Sequence, residues 1–240
     1  MYNDKHEDEA LRAFGEFMSK YPNSPLLAQA HYNIGYLHFE RRNYEAATKV
    51  FKQILDSDYN ERDPNSLMEP YMLYKHNSCR LLAEMSLDQK NYTAAEEYIE
   101  MFEHKYPYQH FCGNELSANA IYTATMKARA YDGQGQNLKA IQELVPFVFD
   151  DALASNEHLL QMLNTMLRQN YSIDQLREEF TRAVNSCAVK KTKRNIEATL
   201  ILFGKKVEMS FYYDRDENAK RDVEFYKEEA RKNSLFKKFL

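Results

Sequence analysis

Four groups of residues are able to do chemistry by type and spacing. His104, His110 and Cys112 crowd one stretch. Two imidazoles and a thiolate are zinc-ligand types, and a histidine close to a cysteine can activate a thiol nucleophile. A tetrahedral site needs a fourth ligand in fixed geometry, and the sequence supplies none nearby. Residues this close in a loop rarely meet productively, so no catalytic residue, metal or cofactor is assigned. His31 and His38 lie seven apart and share a helix face, which predicts core packing or hydrogen bonds between helices. Glu96, Glu97, Glu100 and Glu103 form an acidic stripe at helical spacing, read as a solvated outer face. Lys190-Lys191-Thr192-Lys193-Arg194 is the sharpest basic cluster. It lacks interleaved aromatics, so it reads as a solvated helix end, where cations suit the dipole, and no nucleic-acid partner is expected. No P-loop, dinucleotide turn, nucleophile elbow or HExxH motif is present.

Gly and Pro number 6 each among 240 residues, too few turn residues for a many-stranded sandwich or barrel. Residues 1–185 hold 18 Lys/Arg against 27 Asp/Glu, whereas 186–240 hold 14 against 9. The body should repel nucleic acid, and the tail could attract an acidic partner. Three scattered cysteines make no disulfide framework. The polar start has no signal-peptide pattern and no apolar run is long enough to span a bilayer, so the cytoplasm is expected. The first helix begins in mid-repeat, and a removed upstream signal would make the periplasm the alternative.

The elements that position these residues repeat. Ala10, Phe14, Phe17 and Tyr21-Pro22 recur at the same offsets as Ala95, Ile99, Phe102 and Tyr106-Pro107. Ala47, Phe51, Ile54 and Ala140, Leu144, Phe147 are two further copies. The anchor alanines are 37, 48 and 45 residues apart. Asn43-Tyr44-Glu45-Ala46-Ala47 parallels Asn91-Tyr92-Thr93-Ala94-Ala95, and each follows an apolar helical segment.

This pattern resembles the tetratricopeptide repeat over residues 8–150. Gly35, Ala83 and Ala128 match its small position in helix A, and Ala10, Ala47, Ala95 and Ala140 that in helix B. Two helices cross closely only where neither side chain intrudes. Tyr21-Pro22-Asn23-Ser24-Pro25 looks like the junction of a subclass found in bacterial envelope-assembly and cell-division coordinator proteins. The family's helix A Trp is absent, with His31, Cys79 and Ala124 in its place, and the extra residues fall at 56–69 and 107–115.

The expected fold is all-α: a tetratricopeptide-type superhelix of helical hairpins with a small C-terminal β-hairpin and helix. Residues 1–150 hold about 3.5 repeats. Residues 151–189 form a capping helical hairpin, with Ser155 as an N-cap and a second helix from Ser172 to about Val189. Residues 190–240 hold the β-hairpin, 198–203 and 207–213 around Gly204-Lys205-Lys206, then a helix over 215–232. A lone hairpin is marginal in water. It must dock on the body, pair with another chain as an oligomer contact, or join a further strand.

The resemblance implies a non-enzymatic interaction scaffold that binds a peptide or protein on the concave face of its A helices. The positions implied to line that face are Gln29, Tyr32, Tyr36, Phe39 and Glu40, then Asn77, Arg80, Glu84, Leu87 and Asp88, then Tyr122, Thr125, Arg129 and Asp132. A C-terminal segment folded back into the groove is the bland alternative. Two other functions stand beside the scaffold: an immunity- or inhibitor-type protein binding through its C-terminal part, and an enzyme or metal-dependent regulator using the His104–Cys112 loop.

Overall fold

The computed structural model describes residues 4–59, 72–110, 112–150, 156–191, 196–209 and 221–240. The described residues are mostly helical, in paired hairpins, with a small antiparallel sheet and a final helix near the C-terminus. They fall into two compact units, Met1–Leu116 and Ser117–Leu240. That division differs from the boundaries expected at 150 and 189.

The first unit holds α1 (Asp4–Lys20), α2 (Leu27–Glu40), α3 (Tyr44–Asp56), α4 (Tyr74–Asp88) and α5 (Tyr92–Glu100). A π-helical turn, Met101–Lys105, continues α5. Its core joins Ala47, Phe51 and Ile54 of α3 to Leu81, Leu82 and Met85 of α4. The close crossing of α2 and α3 depends on Gly35. A Cβ there would stand 2.6 Å from Phe51 Cε1, so the ring lies directly on the glycine. The sequence pattern puts Ala47 in that place and Phe51 on the next turn, whereas the atoms nearest a Cβ at Gly35 all belong to Phe51. In the next hairpin Ala83 and Ala95 are both fully buried, above Ile99 and Phe102. Ala95→Leu is expected to cost about 1–3 kcal/mol by overpacking. Exposed Glu97→Ala should cost about 0.5 kcal/mol at most. Equal urea midpoints for the two variants would refute the assigned crossing.

The turns between hairpin helices share one geometry. Arg42, Lys90 and Gly135 take left-handed φ values of 56°, 57° and 74°. The N–H of the following residue then reaches back five positions: Asn43 to the His38 carbonyl, Asn91 to Ser86 and Gln136 to Tyr131, at 2.9, 2.8 and 2.8 Å. This Schellman closure satisfies carbonyls that the helix end would orphan. Asn43 and Asn91 then cap α3 and α5 by accepting from the Ala46 and Ala94 N–H groups. Only Gly adopts that φ without a Cβ penalty. Lys90→Gly should therefore raise stability by about 0.5–1 kcal/mol, the relief being partly offset by the freer unfolded chain. A lower denaturation midpoint would show that the exposed Lys90 side chain makes a stabilising contact.

The second unit comprises α6 (Gly113–Gly133) from Ser117 on, α7 (Asn137–Leu144) with a 3₁₀ turn at Val145–Phe147, α8 (Asn156–Asn170), α9 (Ile173–Asn185), the sheet, α10 (Val223–Lys232) and a last 3₁₀ turn, Phe236–Lys238. The sheet has β1 (Ala188–Lys191), β2 (Ile196–Leu202) and β3 (Lys205–Met209) in the order β1-β2-β3, antiparallel throughout. A Ser172/Gln175 capping box starts α9. The helix stops at Asn185, not near Val189, and Ala188–Lys191 is a further strand paired with the hairpin, one of the three arrangements open to it. Lys190 and Lys191 thus sit on β1 and not at a helix end; Thr192 to Arg194 lie outside the described residues. So do Ser155, the 60–71 part of the expected loop, strand residues 210–213 and helix residues 215–220.

Alternation sends Ala198, Leu200, Leu202, Val207 and Met209 inward. They share a core with Leu163, Leu167, Phe180, Phe236 and Phe239. The β2–β3 turn is Phe203-Gly204, with φ of 47° and 77°, the two positive values a type I′ turn needs. Phenylalanine rarely accepts such a φ. Its N–H donates to Glu179 Oε1 on α9 at 2.7 Å, and its carbonyl accepts from Gln142 Nε2 on α7 at 2.9 Å. Its ring packs on Tyr171 and Phe180.

Candidate functional site

Helix α2 presents Tyr32, Tyr36 and Phe39 at i, i+4 and i+7, one face of the helix. Their rings follow one another at 6.4 and 6.2 Å between centroids. Phe39 stacks on Tyr44 of α3 at 6.1 Å, and Tyr32 meets Tyr74 of α4 at 5.6 Å. Five rings from three helices thus form one continuous run. Tyr36, at its centre, is 41% exposed; the other four are half-buried.

Polar groups border the run. Tyr44 donates its hydroxyl to Asp88 Oδ2 at 2.8 Å. Burial pushes the Tyr32 hydroxyl up to about 12, against the pull of the nearby Arg80 guanidinium and with smaller pushes from Tyr36 and Tyr74. Burial also raises Tyr44, helped by its bond to Asp88, and Glu84 contributes to that field. The structure therefore brings together Tyr32, Tyr36, Phe39, Arg80, Glu84 and Asp88. Gln29 and Glu40 are exposed on α2 and Asn77 is half-buried on α4. Leu87 turns into the core at 5% exposure. Tyr122 and Arg129 lie half-buried on α6 in the second unit, as does Asp132, while Thr125 is buried and donates to the Tyr122 carbonyl.

Tyr44 and Tyr74 were not among the positions read from the sequence. Tyr44 had a signal: it follows the Asn cap, as Tyr92 does in the next copy. Tyr74 had none, because it follows the inserted segment where repeat register is lost.

The histidines on α2 serve packing. His31 bonds Tyr59 Oη through Nδ1 at 3.0 Å and Gln53 Oε1 through Nε2 at 3.3 Å. Burial lowers its pKa from 6.5, against the opposing effect of Gln53. Burial and then Arg41 lower His38 too, and its Nδ1 is buried with no hydrogen-bond partner among the described residues. A depressed folded pKa means that the unfolded chain binds protons first. This contribution to stability is complete above about pH 6.5 and is lost as pH falls through the folded values. Unfolding midpoints are expected to drop between pH 7 and 5, with a shallower slope in His31→Asn/His38→Asn. An unchanged slope would assign the acid sensitivity elsewhere.

In the His104–Cys112 stretch, His110 Nδ1 accepts the Cys112 backbone N–H at 3.1 Å and its ring stacks on Tyr108. Among the described residues, the one group of acids and imidazoles that converges as a cation site would need is Glu100, Glu103 and His104. It includes neither His110 nor Cys112. The outer acidic stripe leaves Glu97 and Glu100 exposed and Glu96 and Glu103 half-buried.

Residues 8–66 match the family model described as tetratricopeptide repeat, about a quarter of the chain. Repeats of this class are in general protein-interaction scaffolds. Searches among curated proteins and solved structures gave no significant match. No helix among the described residues is long and apolar enough to cross a membrane.

Proposed function

We propose that this protein is a non-enzymatic scaffold whose first unit holds a peptide or protein segment on the aromatic run of α2, α3 and α4. The observation that carries this reading is the five-ring run with Tyr36 exposed at its centre. Burying aromatic rings in the unit core would stabilise it more than leaving one open, and Tyr and Arg are favoured residues at binding hot spots. Tyr32, Tyr36 and Phe39 grip apolar side chains of the partner, while Arg80, Glu84 and Asp88 set its register. Gln29 and Asn77 are included on the strength of the repeat positions alone, and on the same ground Tyr122 and Arg129 are proposed as separate partner contacts of the second unit. The Tyr21–Pro25 junction supports the bacterial coordinator subclass.

A photo-crosslinking residue at position 36 tests the reading directly. It should give partner adducts from lysate that a crosslinker at position 97, on the outer face of α5, does not. Equal adducts from both positions, or adducts from 97 alone, would reject the aromatic run as the contact surface.

A further inference from the structure

We propose, resting on that reading, that the aromatic run takes a proline-rich segment of another protein in the polyproline II conformation, with a basic residue at one end. The Tyr32 hydroxyl points to this occupant. Tyr32 is half-buried, and its hydroxyl has no hydrogen-bond partner among the described residues. Its pKa, pushed up to about 12, keeps it a donor at neutral pH. An apolar surface laid over it would strand that donor unless the occupant brings an acceptor. An α-helix brings none from its interior, where every carbonyl is already bonded. A polyproline II segment has no internal hydrogen bonds, so its carbonyls are open.

The balance of donors and acceptors excludes a β-strand in the same way. A strand presents an N–H with every carbonyl and needs an acceptor for each. Around Tyr32 and Tyr36 the run offers mainly ring faces, and the Arg80 guanidinium near Tyr32 only donates. Proline supplies a carbonyl and no N–H, so no backbone donor is stranded on the rings.

Spacing and charge agree. The Tyr32, Tyr36 and Phe39 rings follow one another at 6.4 and 6.2 Å. Polyproline II rises about 3.1 Å per residue, so alternate residues lie about 6.2 Å apart and meet successive rings. The conformation is preformed, which lowers the entropy lost on docking in an aromatic-lined groove. Glu84 and Asp88 follow Arg80 along α4 at one-turn steps and give that end of the run negative charge. Residues 1–116 as a whole hold 12 Lys/Arg against 19 Asp/Glu. A Lys or Arg at the corresponding end of the segment completes the match.

Selection of displayed random dodecapeptides on the full chain tests this. The enriched pool should be rich in proline, with Lys or Arg at one end. By calorimetry, a synthetic peptide from that pool should lose at least tenfold in affinity when its prolines become glycine, and at least tenfold against Tyr36→Ala. Tyr32→Phe removes only a hydroxyl that is idle in the free chain. It should weaken the peptide about fivefold with an unchanged melting temperature. A selection that yields no proline enrichment overturns the proposal, and so do proline peptides that bind Tyr32→Phe as tightly as the parent. Binders that lack proline yet need Tyr36 leave the scaffold reading standing, whereas binders indifferent to Tyr36→Ala remove both.

Discussion

Leucine in place of Gly35 is expected to destabilise the first unit by about 3 kcal/mol, at the upper end of the overpacking range. A Cβ alone would arrive 2.6 Å from a Phe51 ring that is fully buried. The ring cannot swing away, because Tyr32 lies 5.8 Å from it and it shares a core with Ile54, Leu82 and Met85. Better helix propensity of Leu over Gly returns only about 0.8 kcal/mol, so the clash decides the sign. Even Gly35→Ala should lose stability, although alanine is the better helix former. Urea unfolding is the measurement. A Gly35→Ala variant as stable as the parent would show that α2 and α3 separate without cost.

Truncating Tyr36 should weaken partner capture by about 2 kcal/mol, roughly thirtyfold, while leaving stability within about 1 kcal/mol. The asymmetry comes from its 41% exposure: much of its ring area is still in water in the free chain. Arg80→Ala is a less clean probe, since Arg80 is half-buried beside Tyr32 and its loss should move stability and capture together. Capture by Tyr36→Ala at the parent level, measured alongside an unchanged melting temperature, would overturn the aromatic run as the binding face.

The repeat architecture was legible because its signals are local. Small residues at Gly35, Ala83 and Ala95 and caps at Asn43 and Asn91 act within a few residues of themselves, so spacing reveals them. The strand at Ala188–Lys191 was not legible. Four residues are too few to show a period, and the apolar stripe of α9 runs straight into Ala188-Val189. Only its pairing with Ile196–Thr199 distinguishes it from a last helical turn. The aromatic run was partly legible: the A-helix positions gave Tyr32, Tyr36 and Phe39. Tyr44 and Tyr74 join through space from neighbouring helices, which no single-helix pattern encodes. Leu87 shows the reverse error, a position read as facing the groove that the packing of α4 turns inward.

The pegged turn at Phe203-Gly204 bears on the order in which the chain is made. Its two anchors, Gln142 and Glu179, precede it by 61 and 24 residues. A ribosome releases them, and the helices that hold them, before the turn exists. The sheet thus emerges onto a surface already carrying its acceptor and its donor. A fragment that starts after α9 lacks both pegs and the apolar wall behind Leu200 and Val207. The last fifty residues are therefore a finishing piece laid on an existing template. Splitting the gene downstream of Asn185 should leave the short distal piece unfolded until the long proximal piece is supplied.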